Sequence, residues 1–146
     1  MNKNILTIIG SILIMTLSIF GLSKSVVAKE VAYLSASSAN TWLAASVKEM
    51  DAIAKANGIN ITEFDAQFDP AKQTAQLQDA IASGKYDGIV VCAIYGVGLI
   101  PDIEAAIAAG IEIVVLNQVV GADLTTSDPQ VEGIAASVLA APYRSG

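Results

Sequence analysis

The stretch DPAKQTAQLQDAIASGKYDGIVVCA, residues 69–93, decides the fold. Asp69-Pro70 reads as a helix start, because an Asp side chain accepts bonds from free N–H groups at the cap and Pro fits the first helical position. Leu77 and Ile81 fall on one helical face. Gly84 follows the Ala-rich DAIAS segment, where a helix ends most easily on a residue that tolerates the left-handed conformation. Gly88 to Ala93 is then an unbroken apolar run, as in a strand covered on both faces. The same order occurs on either side. AIAKAN precedes Gly58 and INITEF follows it; EAAIAA precedes Gly110 and IEIVVL follows it. The three glycines are spaced 26 residues apart. Helix, glycine and strand, repeated at that interval, predict βαβ crossovers and an α/β parallel sheet with helices on both faces, a three-layer arrangement.

Working outward, the other elements are expected as follows. A first strand runs from Val31 to Ser35. A helix from about Trp42 to Asn57 carries Leu43, Val47, Met50 and Ala54 at helical spacing. A second strand covers Ile59 to Phe64. A third helix runs from near Pro101 to Gly110, and a fourth strand covers Ile113 to Asn117. A loop from Gly121 to Pro129 leads to a weaker strand, Ile134 to Leu139, expected at or near the sheet edge. Residues past Tyr143 would begin another helix.

Composition narrows the chemistry. The chain has 146 residues, no His, one Cys and a net charge of −6. Without His, a Ser-His-Asp triad, a Cys-His pair and any His-ligated metal are excluded. One Cys excludes an intrachain disulfide and CxxC sites. The acidic balance argues against nucleic acid as a partner, since phosphates call for clustered Lys and Arg. The hydrophobic fraction, 53%, lies above the common range of about 45–50%. Much of the excess is N-terminal. Lys3 precedes Ile5 to Leu22, which holds no charged residue, and Val26-Val27-Ala28 offers short side chains at the positions a signal peptidase reads. Residues 1–28 are therefore expected to be a cleaved signal peptide, exporting residues 29–146 to the periplasm or beyond. A retained anchor is the alternative its length allows. No Cys near the cut supports a lipid anchor.

In an open parallel sheet, ligands bind beyond the carboxyl ends of the strands. Four loops lie there: Ser35–Trp42, Asp65–Asp69, Ile94–Gly98 and Asn117–Gly121. Their polar groups are mostly hydroxyls and amides, suited to a neutral polyhydroxyl ligand. The candidate ligand-binding residues are Ser37, Asn40, Trp42, Tyr95, Asn117 and Gln118. Several have a structural alternative: Trp42, the sole Trp, as a cover for the helix start; Asn40 as a helix cap; Asn117-Gln118 as a turn-forming pair. Gly96-Val97-Gly98 with Pro101 imitates a dinucleotide fingerprint and fails it, since the third Gly is missing and the motif follows the third strand. Asp65 and Asp69 form a weakly supported carboxylate pair. Cys92 reads as a small buried hydrophobe. Nothing calls for a cofactor or a metal.

Taken together, VAYLSASSANTWL, ITEFDAQFDPAKQTAQLQDAIASGKYDGIVV and IEAAIAAGIEIVVLNQ resemble the N-terminal lobe of periplasmic sugar-binding proteins, the ribose/galactose-binding type I periplasmic binding proteins of ABC transporters. DAQFDPAKQTAQLQDAIASGKYDGIVV is the most specific part, and the resemblance covers essentially all of residues 29–146. It implies a Rossmann-like lobe, the N-terminal half of a two-lobe fold that closes on its ligand. It implies that Asn40 and Trp42 match the family's Asn-Pro-Phe-Phe segment, with Thr41 for Pro and Leu43 for the second aromatic. It also implies that Asn117 and Gln118 match an Asp-Arg pair that grips sugar hydroxyls. Both charges of that pair are absent here. A ribose-like sugar is thus one expectation and a less polar or differently substituted neutral molecule another. The partners implied are a small sugar-like ligand and the membrane permease of an ABC transporter, or alternatively a membrane sensor kinase. An enzyme would need a nucleophile with a base, or a phosphate loop, and neither is visible. A repressor would need DNA-binding helices where the leader stands. The chain is expected to be an N-terminal fragment, truncated before the hinge and second lobe, and to bind sugars weakly or not at all by itself.

Overall fold

The computed structural model describes residues 28–139. The leader and the helix expected after Tyr143 lie outside them. In chain order the elements are β1 (Lys29–Ser35), α1 (Thr41–Ala56), β2 (Ile59–Asp65), α2 (Pro70–Ser83), β3 (Gly88–Val91), a single 3-10 turn (Gly96–Leu99), α3 (Ile100–Ala108), β4 (Glu112–Asn117) and β5 (Ile134–Leu139). The five strands form one sheet in the order β2-β1-β3-β4-β5. Every pairing is parallel. No helix among the described residues is long and apolar enough to cross a membrane.

Local chemistry sets the element ends as the sequence led us to expect. The Asp69 carboxylate accepts from the Ala71 and Lys72 amides at 2.8 and 3.2 Å, with Pro70 opening α2 behind it. Gly58, Gly84 and Gly110 all adopt left-handed backbone, φ 66°, 60° and 81°, where a Cβ would be strained. The 26-residue rhythm is therefore a rhythm of helix ends.

Alternation along β1 divides the core. Ala32 and Leu34 face α2 and α3, joining Leu77, Ala80, Ile89, Val91, Ile103, Ala106, Ile113 and Val115 in the larger cluster. Tyr33 faces the other way, into a smaller cluster with Ala36, Leu43 and Cys92, against which Val47 and Met50 of α1 pack. One helix on one face and two on the other give the three layers. Among the described residues β5 is an edge strand, in keeping with its expected place at or near the edge, and its pairing with β4 slips between Ile113 and Val114.

The boundaries differ from expectation mainly at β3. Its pairing stops at Val91, two residues before the apolar run does. The reason lies in α2. Gln73 is fully buried, and its side-chain amide donates to the Cys92 carbonyl at 3.0 Å and accepts from the Ile94 N–H at 2.9 Å. A side chain thus takes the bonds a neighbouring strand would have made.

Two core hydroxyls, those of Tyr33 and Ser35, are poorly served. The Tyr33 hydroxyl is buried and finds no hydrogen-bond partner among the described residues. Burial pushes its pKa up to about 12. A buried hydroxyl left unpaired costs on the order of 1–3 kcal/mol. Tyr33→Phe should therefore stabilise the chain by about 1 kcal/mol in urea denaturation; a loss of stability would mean that the hydroxyl is bonded after all.

Candidate functional site

β1 lies at the point where the strand order reverses. The chain leaves β1 toward β2 on one side, and β3 continues the sheet on the other, so the loops after β1 and β3 diverge to opposite faces and leave a crevice. An open cleft of about 550 Å³ lies there. Ala36, Asn40, Trp42 and Leu43 line it from the first loop and helix start. Phe68 lines it from the second loop, Cys92 to Ile94 from the third, and Asn117 with Gln118 from the fourth. No charged side chain is among them.

The front rim is zipped together beyond the strand ends. The Ala66 N–H donates to the Ser35 carbonyl at 3.1 Å and the Phe68 N–H to the Ala36 carbonyl at 2.7 Å. The Asp65 carboxylate closes the join. It accepts from the Ser38 hydroxyl at 2.6 Å, the Ser38 N–H at 3.2 Å and the Gln67 N–H at 2.8 Å. The Ser38 hydroxyl, then the Gln67 amide, holds the Asp65 carboxyl below the usual carboxylate range. The back of the cleft is fixed by the Gln73 splint described above. Further out, a Cβ on Gly96 would collide with the Val119 carbonyl, so only glycine lets the third and fourth loops pack this closely.

Backbone strain concentrates at this end of the sheet. Gln67, Phe68 and Asn117 have φ of 56°, 59° and 65°, and they are the non-glycine residues with positive φ among those described. Left-handed backbone at such residues costs on the order of 1 kcal/mol each and tends to persist where function needs it.

These features invite comparison with known proteins. A family model described as the periplasmic binding protein domain matches residues 31–139. The chain belongs to the periplasmic binding protein family. That family is one of solute-binding proteins rather than enzymes. No curated protein matches the chain. Among solved structures, an ABC transporter solute binding protein from Mycobacterium smegmatis with bound glycerol is 28% identical at a TM-score of 0.59, over 65% of this chain and 33% of that one. A periplasmic ribose ABC transporter protein from Conexibacter woesei is 24% identical at 0.61, over 66% and 32%. A solute binding protein from Clostridium phytofermentans with bound β-D-glucose is 17% identical at 0.62, over 73% and 30%. The last two carry the likeness of fold alone. The chain spans about a third of the length of the solved structures it matches.

Within this periplasmic binding protein domain, four of the six candidate residues meet in the cleft: Asn40, Trp42, Asn117 and Gln118. Asn40 is a helix cap as well, its side-chain oxygen accepting from the Trp42 and Leu43 N–H groups at 3.0 and 3.1 Å, which leaves its amide nitrogen as the group on offer. Trp42 is 54% exposed, so covering the helix start does not account for it. Asn117 combines a turn conformation with a place in the lining. Behind it, burial pushes the Cys92 thiol up.

The other two stand apart. Ser37 is buried, 3% exposed, and its hydroxyl accepts from the Ala39 N–H at 3.3 Å within its own loop. Tyr95 is 61% exposed and outside the cleft lining. The Asp65 and Asp69 carboxylates do not act as a pair: one ties two loops, the other caps α2. Phe68 was not among the candidates. Its signal was an aromatic residue inside an otherwise polar turn, DAQFD.

Two outcomes are expected. Gln73→Leu leaves the Cys92 carbonyl and Ile94 N–H without their side-chain partner, and should destabilise the chain by about 2–3 kcal/mol in urea denaturation. Asp65 has a depressed pKa in the folded state, so its stabilising effect is present above the unfolded value of about 3.9 and is lost as pH falls through the folded value. Asp65→Asn should therefore flatten the acid limb of the stability curve, followed by circular dichroism from neutral pH to below the carboxylate range. Asp87 and Asp123 shift in the same direction and would keep part of that limb.

Proposed function

We propose that the chain is the ligand-gripping wall of a periplasmic solute-binding protein serving an ABC transporter, and that its ligand is a sugar or similar small, neutral, polar molecule. The observation that carries this reading is the uncharged cleft at the strand switch point. There the amides of Asn40, Asn117 and Gln118 stand beside the exposed ring of Trp42. Amides both donate and accept, which matches hydroxyls. The indole face matches the C–H side of a ring. The absence of a charged lining group leaves nothing to neutralise an ionic ligand. The 28% identical solved structure with bound glycerol supports a small, neutral, polar ligand.

Export is part of the proposal. β1 begins at Lys29, directly after the proposed cut at Ala28, which supports a mature chain that starts there. Sequencing the N-terminus of the chain released by osmotic shock should begin at Lys29. A chain that stays with the membrane fraction and keeps Met1 would overturn the assignment.

An open cleft touches one side of a ligand. At about −0.3 kcal/mol per non-hydrogen atom, a monosaccharide of about a dozen such atoms reaches affinities on the order of 1 mM. Amide chemical-shift mapping with D-glucose should thus show millimolar binding, with shifts centred on Asn40, Trp42, Asn117 and Gln118. Shifts centred elsewhere, or none at 100-fold excess over that affinity, would sink the reading.

A further inference from the structure

We propose that Phe68 is a specificity-determining residue of the cleft, a second aromatic face that selects an uncharged ring over an open-chain polyol of matching hydroxyl content. The inference rests on the binding reading above and adds a residue and a selectivity to it.

Three independent observations meet at Phe68. It is one of two aromatic side chains lining the cleft, the other being Trp42. It is 58% exposed, whereas Phe64 packs against the core and meets Tyr86 edge-on at 6.0 Å. Its backbone is left-handed, φ 59°, directly after Gln67 at 56°. The fold takes a backbone bond from this position, the Phe68 N–H to the Ala36 carbonyl, and that bond is indifferent to the side chain. Asn or Gly would occupy the same conformation with less strain and less apolar surface in water. A bulky aromatic there is costly to the free chain, and what offsets it must be met in the cleft.

The loop also fixes the backbone that carries the ring before any ligand arrives. Gln67 donates its N–H to Asp65, and its side-chain oxygen accepts from the Lys72 ammonium at 2.9 Å. The Asp69 N–H donates to the Ala66 carbonyl at 3.0 Å, immediately before α2 begins. A fixed face recognises a fixed face. The C–H side of a ring is flat and preformed, whereas an open-chain polyol must freeze several torsions to present one. Amides at the back of the cleft bind hydroxyls of either molecule. The aromatic faces are where the two differ.

The test uses the purified chain carrying 5-fluorotryptophan and 4-fluorophenylalanine. Trp42 is the sole Trp, so its fluorine signal needs no assignment. The Phe68 signal is identified by its loss in Phe68→Leu. The probes are D-glucose and myo-inositol as rings and D-glucitol as the open chain. Both fluorine signals should shift with either ring, with an affinity about threefold or more tighter than for glucitol. In Phe68→Leu and Phe68→Asn that ratio, read at Trp42, should fall to about one, and Phe68→Tyr should restore it. Phe68→Asn should also melt no lower than the parent chain, since it relieves strain. A shift at Trp42 with Phe68 silent would overturn the role of Phe68 and leave the binding reading standing. Silence at both residues with every probe would overturn both. A clear drop in melting temperature for Phe68→Asn would make Phe68 a residue of the fold and overturn the proposal, whatever the sugars do.

Discussion

The Asp65 carboxylate joins two loops that the sheet itself only starts. β1 and β2 run in register as far as Ser35 and Asp65, and a parallel pair would ordinarily splay there as each chain turns toward its own helix. Instead Asp65 takes both the hydroxyl and the amide of Ser38 from the first loop, and the Gln67 amide from its own. Charge-assisted bonds of this kind are shorter and stronger than neutral ones. They hold Ser38 close enough for the backbone to go on pairing through Ala66 and Phe68. Asn40 and Trp42 follow Ser38 by two and four residues. Phe68 follows Asp65 by three. Both aromatic faces of the cleft thus hang from one carboxylate, and the left-handed turn at Gln67 and Phe68 is the local consequence of closing that join.

The electrostatic layout follows from the same division of ends. At the amino end of the sheet, Lys29 meets Asp87 at 2.7 Å and Lys85 meets Glu30 at 3.5 Å. Both pairs are solvated and contribute little to stability. At the carboxyl end, the helix starts that would attract an anion are already occupied. α1 is capped by the neutral Asn40 and α2 by the anionic Asp69, so their first N–H groups are satisfied within the chain. A phosphate or carboxylate would find no cation in the lining and no spare backbone N–H at the starts of α1 and α2, only neutral amides. The capped starts of α1 and α2 and the uncharged lining act in the same direction, both disfavouring an anion at this wall.

Periodicity and punctuation made the fold legible. The glycines at 58, 84 and 110 marked helix ends, Asp69-Pro70 marked a start, and apolar runs marked strands; each reports a backbone constraint that acts locally. The register of β3 was not legible, because what ends it is a glutamine 19 residues away reaching across from α2. The cleft was half legible for a related reason. The topology of a parallel sheet says which loops face the ligand, and that alone brought Asn40, Trp42, Asn117 and Gln118 into consideration. It does not say which way a loop residue points. Ser37 turns into its own loop and Tyr95 turns away from the cleft, although both sit in the right segments. Phe68 is not legible for the same reason: an aromatic residue in the turn DAQFD can as well pack on its own loop, and only the left-handed backbone places it in the cleft lining.

What the cleft does next depends on its stiffness. The rim is an extension of the sheet, the back is splinted by a buried side chain, and the third and fourth loops touch where glycine permits it. The rim and the back would have to break charge-assisted or buried bonds to yield, which favours a wall that keeps its shape when a ligand arrives. A rigid, open wall leaves most of a bound sugar in water. On the binding reading proposed above, high affinity would come from a second surface that covers the ligand. The solved structures this domain resembles are about three times its matched length, which is room for such a surface. On that view this wall contributes selection, through the angle between two aromatic faces and the amides behind them. Retention falls to whatever closes over it.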